Sequence, residues 1–169
     1  MESNPSPAEH TMENHLERME SFLREFIKHS PFELTFSVRK AAAEADDPEA
    51  PEYVVDFSGA DTGLLLEKKA TLMHAIEYLV LKAIRLDEDH FRRIAFDSQD
   101  WRRTRMEELR LMAQVAADRV IDTGDPFTLN PMSPRERRIV HLALKDRPQV
   151  LTQSEGLGPE RQVVIYPAK

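Results

Sequence analysis

The chain has no cysteine. That excludes disulfide bridges, thiolate zinc sites and a cysteine nucleophile, and it fits a reducing, cytoplasmic setting. Only five glycines are present, and no P-loop, HExxH or G-x-S-x-G motif occurs. No apolar run approaches the ~20 residues that a membrane span needs. The opening stretch, "MESNPSPAEHTMENHLERME", has neither the apolar centre of a secretory signal nor the arginine-rich character of a transit peptide. No paired-carboxylate arrangement stands out, and a lone histidine beside arginine lacks a second acid or base for phosphodiester cleavage. The expectation is therefore a non-enzymatic protein with no cofactor, no metal and no membrane span.

What is present is an ordinary globular composition, 41% apolar and 31% charged over 169 residues, enough for one domain or two small ones. The net charge of -7 conceals an asymmetry. Residues 1–61 carry 5 Lys+Arg against 14 Asp+Glu, whereas residues 62–169 carry 18 against 16. An acidic average thus leaves room for a polyanion-binding face later in the chain, because local potential matters more than the sum.

Residues 1–12 are polar with two prolines and are expected to form a disordered tail. From Glu13 to His29, Leu16, Met19, Phe22, Leu23, Phe26 and Ile27 recur at helical spacing. "FELTFSV" alternates like a half-buried strand, and after a polar connector "YVVDFSG" reads as a second. Asp61 or Thr62 can cap a short helix through "GLLLE". A longer helix follows from about Ala70 to Ile84, with Leu72, Ile76, Leu79 and Ala83 on its apolar face. "HFRRIAFD" closes the set as a third strand. Beyond Ser98 come a helix from about Gln99 to Asp122, an extended "PFTLN", a helix from Ser133 to about Lys145, and two extended runs joined by the turn "GLGP". The fold class is α+β in two small domains, residues 13–97 and 98–169.

These residues resemble a known family. "DTGLLLEKKATLMHAIEYLV" is similar to the core of the KH domain in the bacterial Jag/KhpB RNA-binding proteins. "NPMSPRERRIVHLALKD" with "VLTQSEGLGPERQVVI" is similar to the Arg-x-x-x-His domain that follows it there. The resemblance covers about residues 13–166. It implies a type II KH fold, of order αββααβ, and a small α+β domain that binds single-stranded nucleic acid. It further implies RNA-level regulation linked to cell division or envelope growth, often beside a small KH-domain protein. One departure is evident. Where the family has a Gly-x-x-Gly loop that lets backbone approach phosphate, this chain has Glu67, Lys68, Lys69 and Ala70. The side chains of Glu67 and Ala70 are expected to obstruct close approach, while Lys68 and Lys69 keep the loop basic. A second departure is that only a short tail precedes the first domain, with no separate N-terminal domain in view.

The chemistry of "SPRERRIVH" suits the implied role. Arg137 and His141 share a helix face, and Arg138 and Lys145 flank it. Arginine offers a planar fork to phosphate oxygens, and histidine can donate a hydrogen bond or stack on a base. Arg135 lies near the helix start, where free N–H groups favour an anion. The bland counterpart is a solvated helix face on which Glu136 and Asp146 partly neutralise the arginines. Elsewhere, "LDEDH" (Leu86 to His90) reads as a solvated loop sooner than a metal site. Trp101 with Arg102, Arg103 and Arg105 could stack a base but reads sooner as packing, and His74 reads as a surface residue. Two readings follow: a binder of single-stranded RNA or DNA, or a protein-interaction or dimerisation module built on a repurposed KH surface. Salt dependence separates them, since phosphate contacts release counterions and an apolar interface does not.

Overall fold

Apolar residues three and four apart make the first helix, α1, and it starts earlier than the spacing from Glu13 suggests. In the computed structural model, which describes residues 7–41, 50–86, 90 and 92–168, α1 runs Pro7–His29. Proline is well placed at a helix start, because the N–H it lacks has no partner there anyway. Met12 is fully buried and joins Met19 and Leu23 in the core. The expected tail of residues 1–12 is therefore corrected: residues 7–12 belong to the helix, and residues 1–6 lie outside the described residues.

Strand β1 (Thr35–Lys40) pairs antiparallel with β2 (Tyr53–Ser58), and β2 pairs parallel with β3 (Ile94–Asp97). A parallel pair needs a crossover, and the helical element α2 (Thr62–Ala83) supplies it. Gly59 sits at the exit of β2 with φ +127°, and a Cβ there would stand 2.3 Å from the Glu33 carbonyl oxygen, so only glycine fits. The capping expectation is revised. The Asp61 carboxylate accepts from the Glu33 N–H at 2.8 Å instead of capping α2, and the Thr62 hydroxyl donates to the Gly59 carbonyl.

α2 is broken at the expected loop. Glu67 is extended, and Lys68, Lys69 and Ala70 all lie in the left-handed region, with φ of 49°, 62° and 57°. L-residues pay roughly 1–2 kcal/mol each for that conformation. Burial offsets part of the strain: Ala70 is fully buried in the same core as Leu65 and Met73, while Glu67, Lys68 and Lys69 are exposed. The Ala70 methyl therefore faces inward and does not obstruct approach to the loop. Beyond the break the buried face is Met73, Ile76, Val80 and Leu81; of the expected face Ile76 is buried and Leu72 packs partly buried on the core, whereas Leu79 and Ala83 are exposed. The first unit thus has the order αββααβ, with α2 counted as its two halves.

The chain divides between Trp101 and Arg102 into two compact units, Met1–Trp101 and Arg102–Lys169. Trp101 packs against the first core. In the second unit, helix α3 (Trp101–Thr123) supplies Leu109, Ala113, Ala116, Ala117 and Val120 to a separate core. Strands β4 (Phe127–Thr128), β5 (Val150–Glu155) and β6 (Gln162–Pro167) form an antiparallel sheet of order β4-β6-β5. Helix α4 (Pro134–Ala143) lies between β4 and β5 in the chain and packs Val140 and the following Leu144 into that core. None of the described helices is long and apolar enough to cross a membrane.

Two stability outcomes follow. Met12→Ala is expected to lower unfolding free energy by about 2 kcal/mol, the low end for a buried methionine because a site in the early turns of a helix relaxes. Lys69→Gly is expected to raise it by up to about 1 kcal/mol by relieving left-handed strain at an exposed position. Urea denaturation of each variant measures both.

Candidate nucleic-acid interface

The start of α4 is set by a capping box. Ser133 is the N-cap, its hydroxyl accepts from the Glu136 N–H at 3.3 Å, and its own N–H donates to Glu136 Oε2 at 2.9 Å. Pro134 takes the first helical position. The second carboxylate oxygen, Oε1, accepts from Arg105 Nε on α3 at 2.9 Å, and Arg105 also reaches Glu108 at 3.2 Å. Arg105 and Glu136 are 17% and 20% exposed, so this pair is shielded more than a surface pair. Burial works against the Glu136 charge, but the Ser133 N–H, the Arg105 guanidinium and the Ser133 hydroxyl outweigh it and hold the carboxyl below its ordinary value. Glu136 is committed to the cap and to α3. It does not serve to neutralise the arginines that follow it.

Arg137 and His141 come together as their spacing requires. Arg137 is half-buried, and its Nη1 donates to the Met132 carbonyl at 3.0 Å, which ties the guanidinium to the segment before the helix. His141 faces β5: Nδ1 lies 2.6 Å from the Thr152 hydroxyl and Nε2 lies 2.9 Å from the Ser154 hydroxyl. A neutral imidazole donates from one nitrogen and accepts at the other, and hydroxyls satisfy either role. Burial, then the neighbouring Arg137 charge, push the His141 pKa down from its ordinary value. The ring is thus a fixed strut between helix and sheet. This differs from the free donor or stacking ring expected of it.

The other expected residues are placed less uniformly. Arg135 is in the first turn of α4 and half-buried, and Arg138 is exposed on the next turn. Lys145 is exposed but lies in the turn beyond α4, its N–H bonded to the Leu142 carbonyl, because the helix ends at Ala143 and not near Lys145. Lys68 and Lys69 belong to the first unit and are exposed at the break in α2. Of "LDEDH", residues 87–89 lie outside the described residues. Among the described residues no three His, Asp or Glu side chains gather as a metal site.

Comparison with known proteins bears on this geometry. The family model of the Arg-x-x-x-His domain matches residues 107–167, which contain α4, β5, β6 and the Arg137–His141 pair. The chain is 34% identical over 114 residues to the RNA-binding protein KhpB of Clostridium symbiosum, covering 68% of this chain and 51% of that protein. It is 31% identical over 111 residues to the KhpB of Bacillus subtilis, covering 64% of this chain and 53% of the relative. The KhpB of Lactiplantibacillus plantarum gives 31% over 111 residues, 66% of this chain and 34% of the relative. The chain belongs to the KhpB family. A match of 114 residues exceeds the length of the second unit, so the family similarity extends into the first. The chain spans about a third to a half of the length of these KhpB proteins.

Sequence reasoning grouped Arg105 with Trp101 and not with Glu136, its partner in the structure, and it missed Thr152 and Ser154. Alternation along "VLTQSE" puts Thr152 and Ser154 on one face of a strand, but nothing in the spacing says that a histidine of α4 meets that face. In this KhpB-family chain the neutral imidazole contributes stability in full above the ordinary histidine pKa, and the contribution declines as pH falls below it, because the unfolded chain then binds the proton more readily. An NMR titration is expected to give His141 a midpoint below 6.5, the ordinary value, and Arg137→Ala is expected to raise that midpoint by removing one of its two causes.

Proposed function

We propose that this chain is a non-catalytic binder of single-stranded nucleic acid that uses the Arg-x-x-x-His helix of its second unit. The observation that carries this reading is the commitment of Glu136 to the cap and Arg105, which withdraws from the run Arg135, Arg137 and Arg138 the carboxylate that lies among them in the sequence. Arg137 is the principal phosphate ligand: Nη1 is anchored on the Met132 carbonyl, and a guanidinium has further N–H donors in the same plane. Arg135 and Arg138 extend the basic edge, and Lys145 continues it past the helix end. His141 is a positioning residue, holding α4 against β5 so that the guanidinium is presented in one orientation. The relatives' name, RNA-binding protein KhpB, supports RNA as the ligand.

On the same reading the protein acts in the cytoplasm in RNA-level regulation linked to cell division or envelope growth, a role supported by the family resemblance alone. The first unit takes a small KH-domain protein or a second copy of the chain. Support for this is the open edge of β1 beside α1, where Ile27, Leu34, Phe36 and Val38 line a groove of about 400 Å³.

Fluorescence anisotropy of a labelled single-stranded RNA tests the main reading. Arg137→Ala is expected to weaken binding about tenfold, the scale of one charged hydrogen-bonded contact, and to reduce the salt slope by about one. Equal affinity of parent and variant across the salt series contradicts it.

A further inference from the structure

The second half of α2 turns Met73, Ile76 and Val80 to the core, and its opposite face carries Thr71, His74, Ala75, Tyr78, Leu79 and Lys82. That face has an unusual composition for its surroundings. From Lys68 to Arg85 there are four cations, Lys68, Lys69, Lys82 and Arg85, against the single carboxylate of Glu77, in a chain of net charge -7. Glu77 is half-buried and lies 3.3 Å from Nδ1 of His74 at the margin of the stripe.

Tyr78 is 63% exposed, a large aromatic ring left in water in a unit that has an apolar core to put it in. The Lys82 ammonium lies 5.6 Å from the centre of that ring. One turn back, the His74 ring meets Trp101 edge to face, with centroids 5.5 Å apart. Helical rise places His74 and Tyr78 about 6 Å apart along the axis, on one face. Exposed rings flanked by cations and poor in carboxylates are what single-stranded nucleic acid requires, since every base offers a face to stack on and every link a negative charge. An apolar protein partner is a poorer fit, because Leu79 is the one exposed large aliphatic side chain on this face.

We propose that this helix face is a second contact for single-stranded nucleic acid, in which Tyr78 stacks on a base and Lys82, with Arg85 beyond it, meets the adjoining phosphates. The contact rests on the nucleic-acid reading above but not on its site, and it does not need a glycine loop, since side chains and not backbone approach the ligand. It gives the first unit a direct role in binding although both loop glycines are replaced by Glu67 and Ala70.

The test uses the full chain and a labelled uridine-rich single-stranded RNA, with Tyr78→Ala, Tyr78→Phe and Arg137→Ala compared by anisotropy at low salt. Each variant's melting is checked by circular dichroism. Tyr78→Ala is expected to weaken binding about tenfold, and Tyr78→Phe, which keeps the ring, to bind within about twofold of the parent. Photocrosslinking of the same RNA carrying 4-thiouridine is expected to mark the peptide that contains Tyr78. If Tyr78→Ala binds like the parent while Arg137→Ala loses affinity, the stacking contact is wrong and the second-unit reading stands, leaving this face to a protein partner or to solvent. Equal losses from Ala and Phe at position 78 also overturn stacking. A parent chain that binds no single-stranded RNA overturns both proposals together.

Discussion

Both oxygens of the Glu136 carboxylate are used inside the second unit, one by the Ser133 N–H and one by Arg105, and the placement of α4 follows from that. The cap fixes where the helix begins, so it fixes which residues point inward and which outward. The Arg105 contact ties that beginning to α3, 31 positions earlier in the chain. At the other end of the helix His141 makes a second tie, to Thr152 and Ser154 of β5. Arg137 lies between the two ties and is itself held at Nη1 by the Met132 carbonyl. A long, flexible side chain pays less ordering entropy on meeting a ligand when it is already held in this way.

The two units handle charge differently. In the second, a carboxylate within the arginine run is withdrawn into structural work, so a mixed sequence presents a basic edge. In the first, acidic residues crowd the stretch up to Asp61, and the second half of α2 is nearly free of them. Neither feature shows in the net charge.

Much of the fold is legible in the sequence because local signals agree there. The apolar run "YVVDFS" closed by Gly59, the Ser-Pro pair ahead of α4 and the glycine turn before β6 each name an element, and each fixes at least one of its bounds nearly to the residue. The misreadings share a physical origin. Pro7 looks like a helix breaker, but the first helical position has no N–H bond to lose. Leu79 looks like a core residue, but its neighbour Val80 points inward instead, while Leu72 packs partly buried against the core as its spacing suggests. Of the site, the Arg137–His141 spacing is local and readable. The hydroxyls that hold His141 and the guanidinium that holds Glu136 are distant in sequence, and only the packing of α4 on β5 and α3 brings them near.

Trp101 is the chain's one tryptophan, and it packs on the core of the first unit, with His74 against its ring. This chain therefore carries a single indole fluorophore, seated against the core of the first unit. Its emission follows the loss of that core packing, and Trp101 also opens α3, the helix that leads into the second unit. A calorimetric melt registers both units, so its comparison with the optical melt of the same sample tells whether they unfold together, with no label and no dissection of the chain.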